Sequence, residues 1–248
     1  MTRAVQAPEQ DSGSQASVGG YLNDSELPLT SLVFLLPLMA IYEVGTQFLT
    51  TAAHHGAQEQ IIAFNMTQRL CELLGVHAQH LPAFVVASVL LGWHLARRAK
   101  WQVNAMTLFV MAFECAALAL PLILLSREAA RYLPLAAING TTRDSIIMSL
   151  GAGVYEELVF RLILFTSLSM IFREPLKNHP MLGGLGIVLI SAFAFSGYHY
   201  LSPIEHFSWR TFVFRTVAGA YFGGLFLLRG FGITAGCHSA YDLLILTI

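Results

Sequence analysis

The chain reads as a succession of apolar runs separated by short polar connections, most of them long enough to cross a membrane as helices. Leu29 to Thr50 is predominantly apolar with one acid, Glu43, and a hydrocarbon core of about 30 Å takes about 20 such residues in a helix. Further runs cover Leu81 to Ala96, Asn104 to Ser126 (with Glu114 near its middle), Ile146 to Ile171, Met181 to Leu201, Thr211 to Leu228 and Phe231 to Ile248. Ile61 to Val76 has a different rhythm, with Gln68, Arg69 and Glu72 recurring among apolar positions at helical spacing. That stretch reads as an amphipathic helix lying on the membrane or on the bundle. Gly219 with Gly223, and Gly232 with Gly236, have the small-xxx-small spacing that lets helices approach closely. The pattern predicts an all-α, polytopic transmembrane bundle of about seven or eight helices, the amphipathic one included.

Composition agrees. Of 248 residues, 55% are hydrophobic and only 12% charged, with a mean hydropathy of +0.61, against about 25% charged in soluble domains. A net charge of -1 without a basic stripe argues against nucleic acid as a partner. Cys71, Cys115 and Cys237 are scattered through apolar or amphipathic stretches and form no disulfide framework. Residues 1–28 are expected to be a disordered N-terminal tail, since its Gln, Ser, Gly and Ala lack the layout of a cleaved signal; 29–248 form the helical domain. His54, His55, His77 and His80 flank the amphipathic stretch but have no thiolates or carboxylates at metal-ligand spacing, so they read as surface histidines. Arg97-Arg98-Ala-Lys100 is the densest basic cluster and a cytoplasmic marker. The other basic residues fall on both sides, leaving only a lean toward a cytoplasmic N-terminus.

The run from Ile146 to Ile171 changes the picture, because it encloses Glu156, Glu157 and Arg161. Ionisable groups at that depth cost several kcal/mol each and are usually functional. Glu157 and Arg161 stand four apart and can pair along one helix face. Glu156 is turned about 100° from Glu157 and about 140° from Arg161, so the helix gives it no strong local partner. Two readings follow: a structural Glu157–Arg161 pair beside a free Glu156, or a purely structural triad that fixes helix register. His199 lies in the next run, and His238 and Asp242 stand four apart in the last. Each alone reads as a packed polar residue. Together, away from lipid, the partners available to them are one another. Carboxylate plus imidazole is equipment for activating water, with Glu as general base, His to orient water or move protons, and a second donor pair for an oxyanion. Peptide hydrolysis would suit such a set. A serine mechanism has less support, since no Gly-x-Ser-x-Gly turn occurs and Ser196 and Ser239 read as packing residues. Cys237 and His238, adjacent on one helix, point about 100° apart, so a cysteine mechanism requires Cys237 to meet His199.

Glu156-Glu157-x-x-x-Arg161, Phe195-x-x-x-His199 and His238-x-x-x-Asp242, in this order on successive spans, resemble the motifs of the CAAX-protease and bacteriocin-processing (CPBP, Abi) family of intramembrane proteases. The resemblance covers roughly 143–242. It implies a polar intramembrane cavity, peptide-bond cleavage in a membrane-associated protein or peptide, water activation by Glu156 and His199, and an oxyanion site at His238 and Asp242. Glu157, Arg161 and Phe195 are the supporting residues. The family's last motif usually ends in Asn, and this chain has Asp242. An ionised Asp would repel an oxyanion, so it is protonated, orients His238, or binds a metal. The expectation is a glutamate-type hydrolase with no cofactor. The alternative is a zinc site built from Glu156, His199, His238 and Asp242, although His-Glu-x-x-His is absent. A non-catalytic peptide-binding or immunity-like membrane protein is the rival of another class, and a transporter a third, unsupported by any repeat or paired broken helices. The expected partners are the substrate and the lipid bilayer. The expected location is multi-pass, in a bacterial inner (cytoplasmic) membrane. Prenylated C-terminal cysteine motifs, bacteriocin leaders and other membrane-anchored tags are processed in the wider family, and no residue chooses among them.

Overall fold

The computed structural model describes residues 20–52, 66, 67, 69, 72, 81–130, 142–172, 180–201 and 206–246, and these residues contain helices and no strand. Helix α1 spans Pro28–Ala52, α2 Leu81–Arg97 and α3 Ala105–Ala130. Pro28 suits the first position of α1, where its missing N–H costs nothing. Next comes one continuous rod with three parts: α4 (Thr142–Glu157), a π-helix (Leu158–Phe165) and α5 (Thr166–Phe172). Helix α6 (Pro180–Tyr198) runs into a 3₁₀ turn at His199–Leu201, and α7 (Trp209–Ile245) ends the described chain. Among the described residues, four stretches are long and apolar enough to cross a membrane, Pro28–Thr46, Ala105–Ala129, Met181–Leu201 and Trp209–Ile245, with Pro82–Arg97 a shorter apolar helix. The protein is an all-α membrane bundle. Of the expected amphipathic helix only 66, 67, 69 and 72 are described, all helical; Cys71 and the histidines at 54, 55, 77 and 80 lie outside the described residues.

Gly230 breaks α7 into arms 209–229 and 231–245, because its φ of 74° and ψ of -175° are not helical. Such a backbone is open to glycine alone. The break falls between the sixth and seventh apolar runs of the sequence.

The second arm is the spine of the bundle. Phe231 and Ala235 face one core with Leu35, Tyr42, Val154 and Phe195. Ile233 and Cys237 face another, with Met111, Cys115 and Phe222. Its closest approach is to α4, where a Cβ on Gly153 would lie 2.1 Å from Ser239 Oγ and 2.4 Å from its backbone nitrogen. This contact brings the helix carrying Glu156 and Glu157 against the helix carrying His238. The first arm packs on α6 through Gly219 and Gly223, which meet Ala192 and Val188.

Of the expected tail, residues 1–19 lie outside the described residues. Residues 20–25 are helical and belong to the bundle instead, because Tyr21 bonds Glu114 and Arg229 Nη2 donates to Ser25 Oγ at 2.9 Å. Arg229 also grips Glu114 through Nε at 2.6 Å and Nη2 at 2.9 Å. Glu43, the acid of the first run, accepts a 2.8 Å bond from Tyr155.

Candidate active site

Three helical elements deliver the polar residues to one place. Glu157 ends α4, and Arg161 follows in the π-helix; such i→i+5 segments recur at functional sites. Arg161 Nε lies 3.0 Å from Glu157 Oε2, and both side chains are fully buried. Arg161 Nη2 donates to the Gly219 carbonyl at 2.9 Å, tying the rod to the first arm of α7. Its guanidinium also sits 5.0 Å from the centre of the Phe195 ring, within cation–π reach. The expected ion pair is therefore present, and it carries more than helix register. Glu157 Oε1 accepts a 2.9 Å bond from His238 Nδ1, so Glu157 joins Arg161 to the histidine of another helix.

Glu156 leaves the helix at another angle, as the spacing predicts, and faces the Nε2 side of the imidazole that Glu157 holds at Nδ1. Its Oε1 accepts a 2.6 Å bond from Tyr198. Its Oε2 lies 3.9 Å from His199 Nε2 and 3.8 Å from His238 Nε2. His238 Nε2 is in turn 3.5 Å from Asp242 Oδ2. Glu156, His199, His238 and Asp242, expected to share a site, are brought together, with Phe195 beneath them in edge contact with both imidazoles at 5.1 and 5.8 Å. The side chains of His199 and Asp242 are 21% and 23% exposed, against 8% for Glu156 and 6% for His238. The opening of the site therefore lies on the His199 and Asp242 side.

Hydrogen-bond chemistry fixes the imidazole faces. The Phe195 carbonyl can only accept, so His199 Nδ1 donates to it at 2.8 Å. Neutral His199 then turns its Nε2 lone pair to Glu156. His238 is likewise held at Nδ1, with Nε2 toward Glu156 and Asp242, and Phe222 stacks on its ring at 4.5 Å. Separations of 3.8 to 3.9 Å are too long for direct hydrogen bonds. They suit a bridging water, which at about 2.8 Å from both atoms would subtend an angle of about 90°.

Tetrahedral zinc with bonds of about 2.1 Å sets its ligand atoms about 3.4 Å apart. The Glu156–histidine separations are wider, and no three His, Cys, Asp or Glu among the described residues are arranged to hold a metal ion.

Other nucleophiles point elsewhere. Cys237 is buried in the α3–α7 core with Met111 and Cys115, turned about 100° around its helix from His238. Ser196 donates to the Phe212 carbonyl and Ser239 to that of Leu150, as packing residues do. Sequence reasoning missed Tyr198, Phe222 and Arg215. Tyr198 could have been noticed as the aromatic beside His199, and Arg215 as the charge inside the sixth apolar run. The Arg215 guanidinium stacks on Tyr200 at 5.6 Å and lies within electrostatic reach of Glu156. Phe222 carries no signal in an apolar helix.

Comparison with the curated proteins and with the solved structures finds no significant match. One family model matches, over residues 139–244, and its description is type II CAAX prenyl endopeptidase Rce1-like. That segment includes every residue of the site. It agrees with the family indicated by the three ordered motifs, and the family is one of proteases acting in membranes. The part of this chain that builds the site is thus the part that is similar to the Rce1-like, CAAX-protease family.

Proposed function

We propose that the protein is an intramembrane endopeptidase of glutamate type that hydrolyses a peptide bond in a membrane-associated protein or peptide. The observation that carries this reading is the Glu156 carboxylate, oriented by Tyr198 on one oxygen and facing two imidazole Nε2 atoms with the other. Glu156 and His199 hold a water; Glu156 takes its proton as the oxygen attacks the scissile carbonyl. The carbonyl π electrons become the oxyanion, which His238 meets as an imidazolium, its Nδ1–H held on Glu157 and its Nε2–H donated to the oxyanion. Collapse expels the amine, which receives the proton taken by Glu156, and the other product is a carboxylic acid. Asp242 serves as an orienting partner for His238. The substrate is a membrane-anchored chain, a prenylated C-terminal segment being the class that the family's description favours.

Glu156→Gln and His199→Ala should each abolish processing while the protein still inserts and folds. Full activity in Glu156→Gln would refute water activation by that residue. Purified protein treated with a strong chelator should keep its activity; loss reversed by zinc would establish the metal-dependent alternative. Asp242→Asn should be tolerated, whereas a metal ligand at this position would not be.

A further inference from the structure

Away from the site, a groove of about 680 Å³ lies between α1 and α4, lined by Ala40, Val44, Gly45, Phe48 and Ile147 among others. Its size is that of a small-molecule pocket, about 300–1,000 Å³. Among its described lining residues only Arg143 is charged. Arg143 lies in the first turn of α4, and its guanidinium sits 5.8 Å from the centre of the Phe48 ring, so Phe48 and Arg143 mark the same end. From there the lining runs inward through Val44 and Gly45 to Ala40 on α1, and to Ile147 on α4. Gly45 keeps the two helices close, since a Cβ there would meet Ile147 Cδ1 at 2.8 Å.

Eight positions from Ala40 to Phe48 make about 12 Å of helix. One leaflet of a hydrocarbon core is about 15 Å deep. The groove is therefore about one leaflet long, apolar along its length and cationic at its outer end.

We infer that this groove binds an anionic phospholipid, one acyl chain lying between α1 and α4 and the phosphate on Arg143. Charge complementarity selects this occupant. The carboxylate that cleavage leaves beside a prenylated cysteine's thioether forms at Glu156, where the bond is cut, and not at Arg143. Ile147 also lies nine positions before Glu156, about 13 Å along the helix, so the groove is separate from the hydrolytic centre. The bound lipid would brace the α1–α4 pair that also holds the Tyr155–Glu43 bond next to Glu156. Lipid affinity does not depend on catalysis, and Glu156→Gln protein should bind as the wild type does.

The test is native mass spectrometry of the full chain, stripped of lipid in detergent and titrated with phosphatidylglycerol or with phosphatidylcholine of the same acyl chains. Wild type should retain one phosphatidylglycerol with about fivefold preference, the contribution of a single cation near a headgroup whose phosphate no choline neutralises. Arg143→Gln should bind both lipids equally. Ala40→Phe, which fills the apolar part, should lose both. Equal binding by the wild type, or an unchanged preference in Arg143→Gln, overturns the inference. So does displacement of phosphatidylglycerol by farnesol more readily than by a straight-chain alcohol of equal carbon number, which would make the groove an isoprenoid subsite.

Discussion

Replacing Tyr198 by Phe removes one oxygen and leaves the ring, which packs on Phe160 at 5.0 Å and on His199 at 4.6 Å. The bond lost is the 2.6 Å contact to Glu156 Oε1. Hydrogen bonds to charged groups contribute about 1.5–3 kcal/mol, and each 1.36 kcal/mol of barrier is tenfold in rate. If Tyr198 aims Glu156 at the water, Tyr198→Phe should lower kcat by about 10- to 100-fold with KM nearly unchanged. The matching fall in kcat/KM marks an interaction needed in the transition state. The assay is steady-state cleavage of a fluorogenic prenylated peptide in nanodiscs, with a thermal melt of the same preparation. A kcat within twofold of wild type, alongside an inactive Glu156→Gln, would refute the positioning role. A lowered KM-normalised rate that came with a collapsed melting temperature would show instead that Tyr198 is only a packing residue.

Gly153→Ala should cost about 1–3 kcal/mol, as overpacking does, because its Cβ would lie 2.4 Å from the Ser239 backbone nitrogen. The melting temperature and the activity should fall together, and Ser239→Gly should not restore them, since the backbone atom stays; a stable Gly153→Ala protein would refute the close approach. Gly230→Ala forces a side chain onto φ 74°, at about 1–3 kcal/mol, again read by thermal melting. Arg229→Gln should free the 20–25 helical segment and speed chymotryptic cutting at Tyr21. The loss of stability should stay under about 1 kcal/mol, because Arg229 and Glu114 are 12% and 21% exposed. Cutting at the wild-type rate would show that the segment is held by other contacts.

Helices and their order were legible because each apolar run is long and bounded, and Gly230 separates the last two as the pattern placed it. The site was legible where chemistry is rare: Glu156, Glu157, Arg161, His199, His238 and Asp242 stand out against an apolar background, and the four-residue spacing of Glu157 and Arg161 gave their pairing. The contact of Glu157 with His238 was not legible, since it spans 81 positions and depends on how α4 meets the end of α7. Phe222 was hidden for the opposite reason: a phenylalanine in a membrane helix is ordinary, and only the fold shows that it lies flat on His238. Residues 20–25 misled through composition. Their polar look suggests a tail, but Tyr21 and Ser25 reach a half-buried acid–base pair that no local pattern announces.

The division between the two glutamates can be argued from how many partners each oxygen has. Glu157 Oε2 faces Arg161 and Oε1 accepts from His238, so both oxygens are engaged by cationic or N–H partners within 3.0 Å. A base so held would have to break one of those contacts to take a proton from water. Glu156 spends one oxygen on Tyr198 and turns the other to a space bounded by two imidazoles at 3.8 and 3.9 Å. That oxygen can accept a proton without releasing anything. The π-helix contributes to this asymmetry, since it begins at Leu158, directly after Glu157. There Arg161 both closes on Glu157 and reaches the Gly219 carbonyl of the next helix. Glu157→Gln should therefore disturb the placement of His238 and the stability of the bundle, whereas Glu156→Gln should leave the fold intact and remove the chemistry.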